Sequence, residues 1–380
     1  MKEIKDKRIL IVASLSASLI NFRGDFIASL VKNGFTVYAA APDHPERIRV
    51  KLEALGAIPL EFSLNRTGLN PIKDLNSISE LKTLIKEYKI DLVFPYTVKP
   101  VIYSSIAANK CKVPVISLIT GLGFAFTGLT FKARVLQRLN ETLYKLSIRK
   151  NKIIIFQNND DYQLFLDRKI ISKDNKVALV SGSGVNLNQY KTRVKKNTSD
   201  TISFLMVARL IKEKGIALYL EAAKTLKEKY PKAEFHVIGA PDKSPSAIKL
   251  EELNALHENG TIIYHGNQRN VPEHLYNRDV FVLPTYYREG IPRSILEALS
   301  VGLPIITTNT PGCKETILKD KNGILIKPMN LNELTNAMEY FLINKEKIEE
   351  MGINSRAYAE NRFDVNIINN DLINLINETI

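Results

Sequence analysis

Three observations predict two doubly wound α/β domains. Short apolar runs of strand length alternate with helical patterns along the whole chain, the mark of βαβ units and a parallel sheet covered on both faces. The alternation restarts after the polar stretch Asn186–Asp200. The chain has 380 residues, and at roughly 100–200 residues per domain that is about two domains, each able to bury its own core. The boundaries read as 1–190 and 200–360, with a terminal helix over 361–380 that packs back on the first domain. A ligand cleft is expected where the carboxyl ends of the strands of the two domains face each other.

The elements follow in order. Ile9–Ser14 is the first strand, followed by a loop and a helix over Gly24–Asn33. Thr36–Ala41 is a strand and Glu46–Leu55 a helix; Ile58–Phe62 is a strand and Asn76–Tyr88 a helix. Then come the strand Leu92–Pro95, a helix over Val101–Asn109, the strand Val115–Ile119, a basic helix, and the strands Ile153–Phe156 and Val177–Val180. In the second half, the strands Ile202–Val207, Glu234–Gly239 and Thr261–His265 enclose a helix over Ile216–Glu228 and precede a short one over Val271–Tyr276. The strand Val280–Pro284, the helix Pro292–Val301, the strands Pro304–Thr307 and Gly323–Ile326, and the helix Leu331–Leu342 complete the series.

Composition excludes several classes. Hydrophobic residues make 45% and charged residues 24% of the chain, which is globular rather than disordered or fibrous. No apolar run approaches the ~20 residues that span a bilayer. The amino terminus shows no signal-peptide hydrophobic region, so a cytoplasmic protein is expected. The two cysteines, Cys111 and Cys313, make neither a disulfide framework nor a metal-ligand spacing.

Charge is uneven. The net charge is +13, and residues 1–200 hold 32 Lys and Arg against 17 Asp and Glu, an excess of 15. A basic half points to an anionic surface, membrane or nucleic acid, or simply to a Lys-rich solvated face. Residues 129–152 sharpen the choice. Phe131, Val135, Leu136, Leu139, Leu143 and Leu146 recur at helical spacing, and Lys132, Arg134, Arg138, Lys145, Arg149, Lys150 and Lys152 face a lone acid, Glu141. Such a helix lies on anionic membranes, or packs its apolar stripe on its own sheet with a basic outer face; both hold at once. Nucleic acid is not expected as a partner, because neither an aromatic stacking motif nor a zinc-finger spacing is present.

Two segments carry chemistry. Ala208-Arg209-Leu210-Ile211-Lys212-Glu213-Lys214-Gly215 follows a strand and opens a helix. Two cations at that edge suit a diphosphate, and the plainer reading is a Lys-rich surface loop. The second segment runs Leu283-Pro284-Thr285-Tyr286-Tyr287-Arg288-Glu289-Gly290-Ile291-Pro292 and continues to Glu297. Pro292 suits a first helical position, and Gly290 lets a ligand approach the backbone. One carboxylate in the loop and one in the second turn of the helix, about two turns apart, suit hydroxyl recognition at two places on one long ligand; a generic βα turn with surface acids is the plainer reading.

The Glu-x7-Glu element after a strand ending in Pro, with Arg-x4-Lys upstream, resembles the retaining glycosyltransferases of family four, which have the GT-B fold of two Rossmann-like domains. The resemblance covers essentially the whole chain. Asn21-Phe22-Arg23, Thr97-Val98-Lys99-Pro100 and Ile119-Thr120-Gly121-Leu122-Gly123-Phe124-Ala125-Phe126 resemble its bacterial capsule and O-antigen branch, which extends lipid-linked sugars and includes enzymes adding N-acetylgalactosamine to an undecaprenyl-diphosphate-linked sugar. The resemblance implies that Arg209 and Lys214 hold a UDP-sugar diphosphate and that Glu297 bonds the ribose. It implies that Glu289, Gly290 and Ile291 hold the sugar, and that His265, Asn267 and Val271 border the base. It places Asn21, Arg23, Lys99, Thr120, Gly121 and Gly123 on the acceptor side, with Arg23 at an acceptor phosphate. The expected acceptor is a polyprenyl-diphosphate-linked saccharide at the inner face of the cell membrane.

The sequence departs from the family in two places. Ser14–Leu19 replaces a Gly-rich loop, and Thr120-Gly121-Leu122-Gly123 stands where many members place a His, so no catalytic His is assigned. His44, His236, His257, His265 and His274 form no evident ligand cluster. No Asp-x-Asp occurs, so no metal and no other cofactor is expected, and cations with a helix N-terminus meet the diphosphate's charge. A nucleotide-sugar 2-epimerase on the same fold and a non-catalytic membrane or nucleic-acid scaffold are the competing readings; the intact Arg-x4-Lys and Glu-x7-Glu segments weigh against both.

Overall fold

The computed structural model describes residues 6–65, 71–123, 126, 131–193, 201–242 and 246–380. The chain forms two compact units, one of residues 1–184 with 365–380 and one of residues 185–364.

In the first unit, strands β1 (Arg8–Val12), β2 (Thr36–Ala41), β3 (Ile58–Glu61) and β4 (Leu92–Pro95) form a parallel sheet in the order β3-β2-β1-β4. Strands β5 (Ile116–Ile119), β6 (Ile153–Phe156) and β7 (Val177–Leu179) continue in parallel, and the bridges Val93–Val115 and Tyr96–Leu118 join β5 to β4. Alternation along each strand fills two cores. Leu10, Val12 and Phe156 point to one face; Ile9, Ile11 and Ile155 point to the other. Both faces are therefore covered, as a continuously apolar parallel strand requires. Helices α1 (Ser16–Lys32), α2 (Glu46–Ala54), α3 (Pro71–Glu87), α4 (Val98–Cys111), α5 (Phe131–Ser147) and α6 (Asn159–Asp167) make the crossovers.

Several boundaries differ from the sequence reading. α1 starts at Ser16, not Gly24, because its N-cap is Leu15, which supplies no side-chain acceptor, so no capping signal marks the start. α4 starts at Val98, with Pro100 inside its first turn, where a missing N–H costs nothing. α6 stands where the sequence shows no helical pattern, and Asn158 caps it, its side chain accepting from Asp161 N–H at 2.8 Å. Of the stretch read as a helix over 129–152, residues 131–147 are α5; 129 and 130 lie outside the described residues, as do Phe124 and Ala125.

The second unit carries strands β8 (Ser203–Val207), β9 (Glu234–Ile238), β10 (Ile263–Tyr264), β11 (Val280–Leu283), β12 (Ile305–Thr308) and β13 (Gly323–Ile326) in the parallel order β10-β9-β8-β11-β12-β13. This is the doubly wound order, and its direction reverses between β8 and β11, so a ligand crevice is expected beyond the carboxyl ends of those two strands. Helices α7 (Ile216–Lys229), α8 (Leu250–Glu258), α9 (Val271–Tyr276), α10 (Arg293–Ser300), α11 (Leu331–Ile343) and α12 (Glu346–Tyr358) complete it. α8 was not read from sequence; its N-cap, Lys249, offers no acceptor.

Residues 186–193 belong to this unit, and Arg193 N–H donates to Val301 O at 3.1 Å; 194–200 of the stretch read as a linker lie outside the described residues. The chain returns to the first unit at Val365, where α13 (Val365–Asn377) lays Ile368, Leu372, Ile373 and Ile376 on the core face that also holds Ile9 and Phe26. Among the described residues no helix is long and apolar enough to cross a membrane.

Candidate active site

The loops after β8 and β11, on either side of the second unit's switch point, are tied together by backbone chemistry. Glu213 O accepts from Tyr286 N–H (2.9 Å), Tyr287 N–H (3.1 Å) and the Thr285 hydroxyl (3.0 Å). Gly215 makes this approach possible. Its φ is +78°, and a Cβ there would fall 2.1 Å from Pro284 O. Only glycine combines that backbone with that contact. Gly312 does the same beneath the loop, with φ +85° and a Cβ position 1.4 Å from Gly290 O.

This scaffold brings together the cations and carboxylate that the sequence singles out. Lys214, closing a 3₁₀ turn before α7, places Nζ 2.6 Å from Glu289 Oε2, with both side chains largely buried. Thr285 Oγ1 also lies 3.1 Å from Glu289 Oε1, so its one hydroxyl proton is shared between this carboxylate and Glu213 O. Arg209 is half exposed and pairs with Asp242 at 3.4 Å. The Tyr287 ring lies 5.9 Å from the Arg209 guanidinium and 5.7 Å from Lys214 Nζ. Gly290 and Ile291 are buried at the loop's end, and α10 then begins at Arg293.

Glu297 lies one turn into α10, where Arg293 Nε donates to Oε1 at 3.1 Å. Burial pushes its carboxyl above the usual range, while Arg293 and a hydrogen bond with Tyr190 pull it back down.

His265 follows β10, Val271 begins α9 and Asn267 is exposed between them. The histidines are less scattered than the sequence suggests. His236 Nδ1 lies 2.9 Å from His265 Nε2, His236 Nε2 lies 3.1 Å from Glu234 Oε2, and the His265 and His274 rings meet edge-on at 4.7 Å. A carboxylate only accepts, so a neutral His236 carries its proton on Nε2 and accepts at Nδ1 from His265. Burial, with His274, Arg278 and His257 around it, lowers His265 to about 4. The pairing follows from strand register, His236 lying opposite Ile263, and no motif in the sequence announces it.

In the first unit the switch point falls between β1 and β4. Ser14 after β1 accepts from the Thr97 hydroxyl after β4 at 3.1 Å. Thr97 holds φ +68°, a costly conformation for a β-branched residue of the kind that clusters at functional sites. Lys99 Nζ lies 3.1 Å from Asp74 and 5.7 Å from the Tyr103 ring centre. Asn21 is exposed on α1, and Thr120, Gly121 and Gly123 follow β5 half-buried. Arg23, expected at an acceptor phosphate, is only 2% exposed, its guanidinium 5.5 Å from the Tyr96 ring centre. A one-residue helical step from exposed Phe22 turns it inward.

Sequence reasoning missed Thr285, Tyr287, Arg293, Asp242 and Tyr190. The first three stand inside or beside the Glu-x7-Glu segment, but an aromatic or hydroxyl residue there reads equally as packing. Tyr190 lay in the stretch read as a linker.

Comparison with known proteins follows the same division. Residues 188–358 match the family model "Glycosyl transferases group 1", and residues 8–158 match "Glycosyl transferase 4-like". The chain is 29% identical, over 98% of its length and 99% of the relative's, to the N,N'-diacetylbacillosaminyl-diphospho-undecaprenol alpha-1,3-N-acetylgalactosaminyltransferase of Campylobacter jejuni. It is 27% identical to an Escherichia coli UDP-Gal:alpha-D-GlcNAc-diphosphoundecaprenol alpha-1,3-galactosyltransferase, over 71% of each chain. A glycosyltransferase structure from Rickettsia africae superposes with a TM-score of 0.78 at 19% identity, covering 98% of both chains. Two Rossmann-like units, Arg-x4-Lys converging on Glu-x7-Glu, and these matches along both units make the chain a member of the group 1 and family-4-like glycosyltransferases, a hexosyltransferase on the GT-B fold.

Proposed function

We propose that this enzyme transfers an N-acetylhexosamine, N-acetylgalactosamine foremost, from a UDP-sugar to a polyprenyl-diphosphate-linked saccharide. It does so with retention of configuration, without a metal, and at the cytoplasmic face of the membrane. The observation that carries the reading is the convergence of Arg209, Lys214 and Glu289 through the Glu213 carbonyl at the carboxyl ends of β8 and β11. The sugar and acceptor follow the activity named for the Campylobacter jejuni relative.

The donor's diphosphate meets Arg209 and Lys214 beside the N-terminus of α7, and the ribose meets Glu297. As the bond from the anomeric carbon to the phosphate oxygen breaks, negative charge grows on the leaving diphosphate. Cations already fixed there lower the barrier, because their benefit rises with that charge. The acceptor oxygen bonds to the anomeric carbon on the face the phosphate leaves, and its proton passes to the departing phosphate oxygen. Glu289 holds Lys214 in place and accepts from a sugar hydroxyl. Asn21, Lys99 and the Thr120–Gly123 loop of the first unit are the residues we propose for the acceptor.

Membrane docking is supported by α5, where Val135 and Leu139 are exposed beside Arg134 and Arg138. Apolar anchors beside cations suit an anionic lipid surface.

The test is product formation. Purified protein in EDTA receives UDP-GalNAc, UDP-GlcNAc, UDP-Gal or UDP-Glc with a polyprenyl-diphosphate N-acetylhexosamine. Mass spectrometry should show one added N-acetylhexosamine and proton NMR a new α-linkage. A β-linkage would reject retention, and a requirement for divalent cation would reject the metal-free site. No transfer from any donor would reject the reading.

A further inference from the structure

We infer that Tyr287 is a positioning residue for the transfer, its ring holding Arg209 and Lys214 aimed at one diphosphate; the inference rests on the donor-site reading above. The two cations reach the site from different places, Arg209 just after β8 and Lys214 at the end of the following 3₁₀ turn. Like charges repel, and bringing two of them to one place needs something that attracts both. The Tyr287 ring does so, with Arg209 Cζ 5.9 Å and Lys214 Nζ 5.7 Å from its centre. Both lie inside the ~6 Å over which a ring face attracts a cation.

The ring is itself well anchored. Tyr287 N–H is shared between Glu213 O and Thr285 Oγ1, each at 3.1 Å. Thr285 Oγ1 also lies within hydrogen-bond distance of Glu289, so the ring and the carboxylate that pairs with Lys214 belong to one loop. Arg209 depends on the ring most, because its side chain is 50% exposed and its ion-pair partner, Asp242, is 3.4 Å away. Lys214 is 12% exposed and has Glu289 at 2.6 Å. An arginine left to roam still meets a bound diphosphate but arrives without fixed orientation, and a mobile cation stabilises growing charge less well than a fixed one.

The inference concerns the ring and not the hydroxyl, which sets its test. Tyr287→Phe and Tyr287→Leu are compared with the wild-type enzyme for kcat, donor KM, and the Kd of UDP and of UDP-sugar by calorimetry, with thermal melts as the folding control. UDP carries the fuller diphosphate charge and stands for the departing group. Tyr287→Leu should lower kcat about tenfold and weaken UDP more than UDP-sugar, with donor KM changed less than kcat. Tyr287→Phe should stay within about twofold of wild type, since the ring remains. Equal losses in Phe and Leu would assign the effect to the hydroxyl and overturn the inference. An unchanged Leu variant, or one whose KM rises with kcat intact, would overturn it while leaving the donor site standing. Failure of the wild-type protein to bind UDP would overturn the donor-site reading and this inference together.

Discussion

Lys214 and Arg209 are asked for different amounts of the same work. Lys214, buried against Glu289, is committed to the site; Arg209 reaches it from half-exposed surface. Lys214→Ala and Arg209→Ala should each lower kcat by roughly 10²–10³, as loss of one charge-stabilising donor does, with Lys214→Ala the more severe. Steady-state kinetics checks this, and near-normal turnover in both would remove them from the reaction. Glu297 offers a pH test. Burial raises its carboxyl and Arg293 lowers it again. Arg293→Leu removes the lowering group, so the carboxylate is lost at a higher pH as acid is added. The acid limb of kcat/KM should move up in pH, and an unmoved limb would show that Glu297 is not the group titrating. At this scale the sequence was most legible where chemistry and spacing coincide, as at Arg209, Lys214 and Glu289. It was least legible at Tyr190, whose hydrogen bond to Glu297 depends on a distant chain segment folding back.

Elements matter through where their ends meet. Gly215 lets the turn before α7 reach the loop after β11, and a Cβ there would collide with Pro284 O. Gly215→Ala should destabilise the protein by roughly 2–4 kcal/mol and lower kcat, because the same turn carries Lys214. A thermal melt near wild type would contradict that account. The pairing of β9 with β10 carries a pH signature. His265 is held neutral down to about 4, from its usual 6.5. Between those values the unfolded chain binds more protons than the folded one, so stability falls as pH drops from 6.5 towards 4 and loses nothing more from this group below. At pH 5, urea unfolding should show on the order of 1 kcal/mol of loss attributable to His265, discounted for its partial exposure, and His265→Asn should flatten it. The central strands were legible from sequence because they are buried on both faces and read as unbroken apolar runs, as at β1, β6 and β11. Helix starts did not follow the caps: α2 and α7 begin where the sequence places them with no side-chain cap, the uncapped α1 starts before its expected place, the uncapped α8 escapes the pattern, and α6 escapes it although Asn158 caps it.

Over the whole molecule the basic excess belongs to residues 1–200. On the proposed reading that half meets the lipid-linked acceptor, and each Lys or Arg near an anionic surface adds about 1 kcal/mol. Binding to phosphatidylglycerol vesicles should therefore fall with salt and with Arg134→Glu/Arg138→Glu, while UDP binding by the second unit stays unchanged. Salt-insensitive binding would point to another anchor. Two-domain organisation was legible from the restart of the strand-helix alternation, and α13, expected as a terminal helix packing back on the first domain, groups with the first unit. The central claim is a metal-free UDP-sugar site built on Lys214 and Glu289, and thermal shift in EDTA tests it most directly. A UDP-sugar at ~100 Kd adds about 2.7 kcal/mol to a protein that binds it. The account predicts a raised melting temperature with UDP-N-acetylhexosamine in EDTA, and its loss in Lys214→Ala. No shift with any nucleotide sugar, or a shift that appears only when divalent cation is restored, would contradict it.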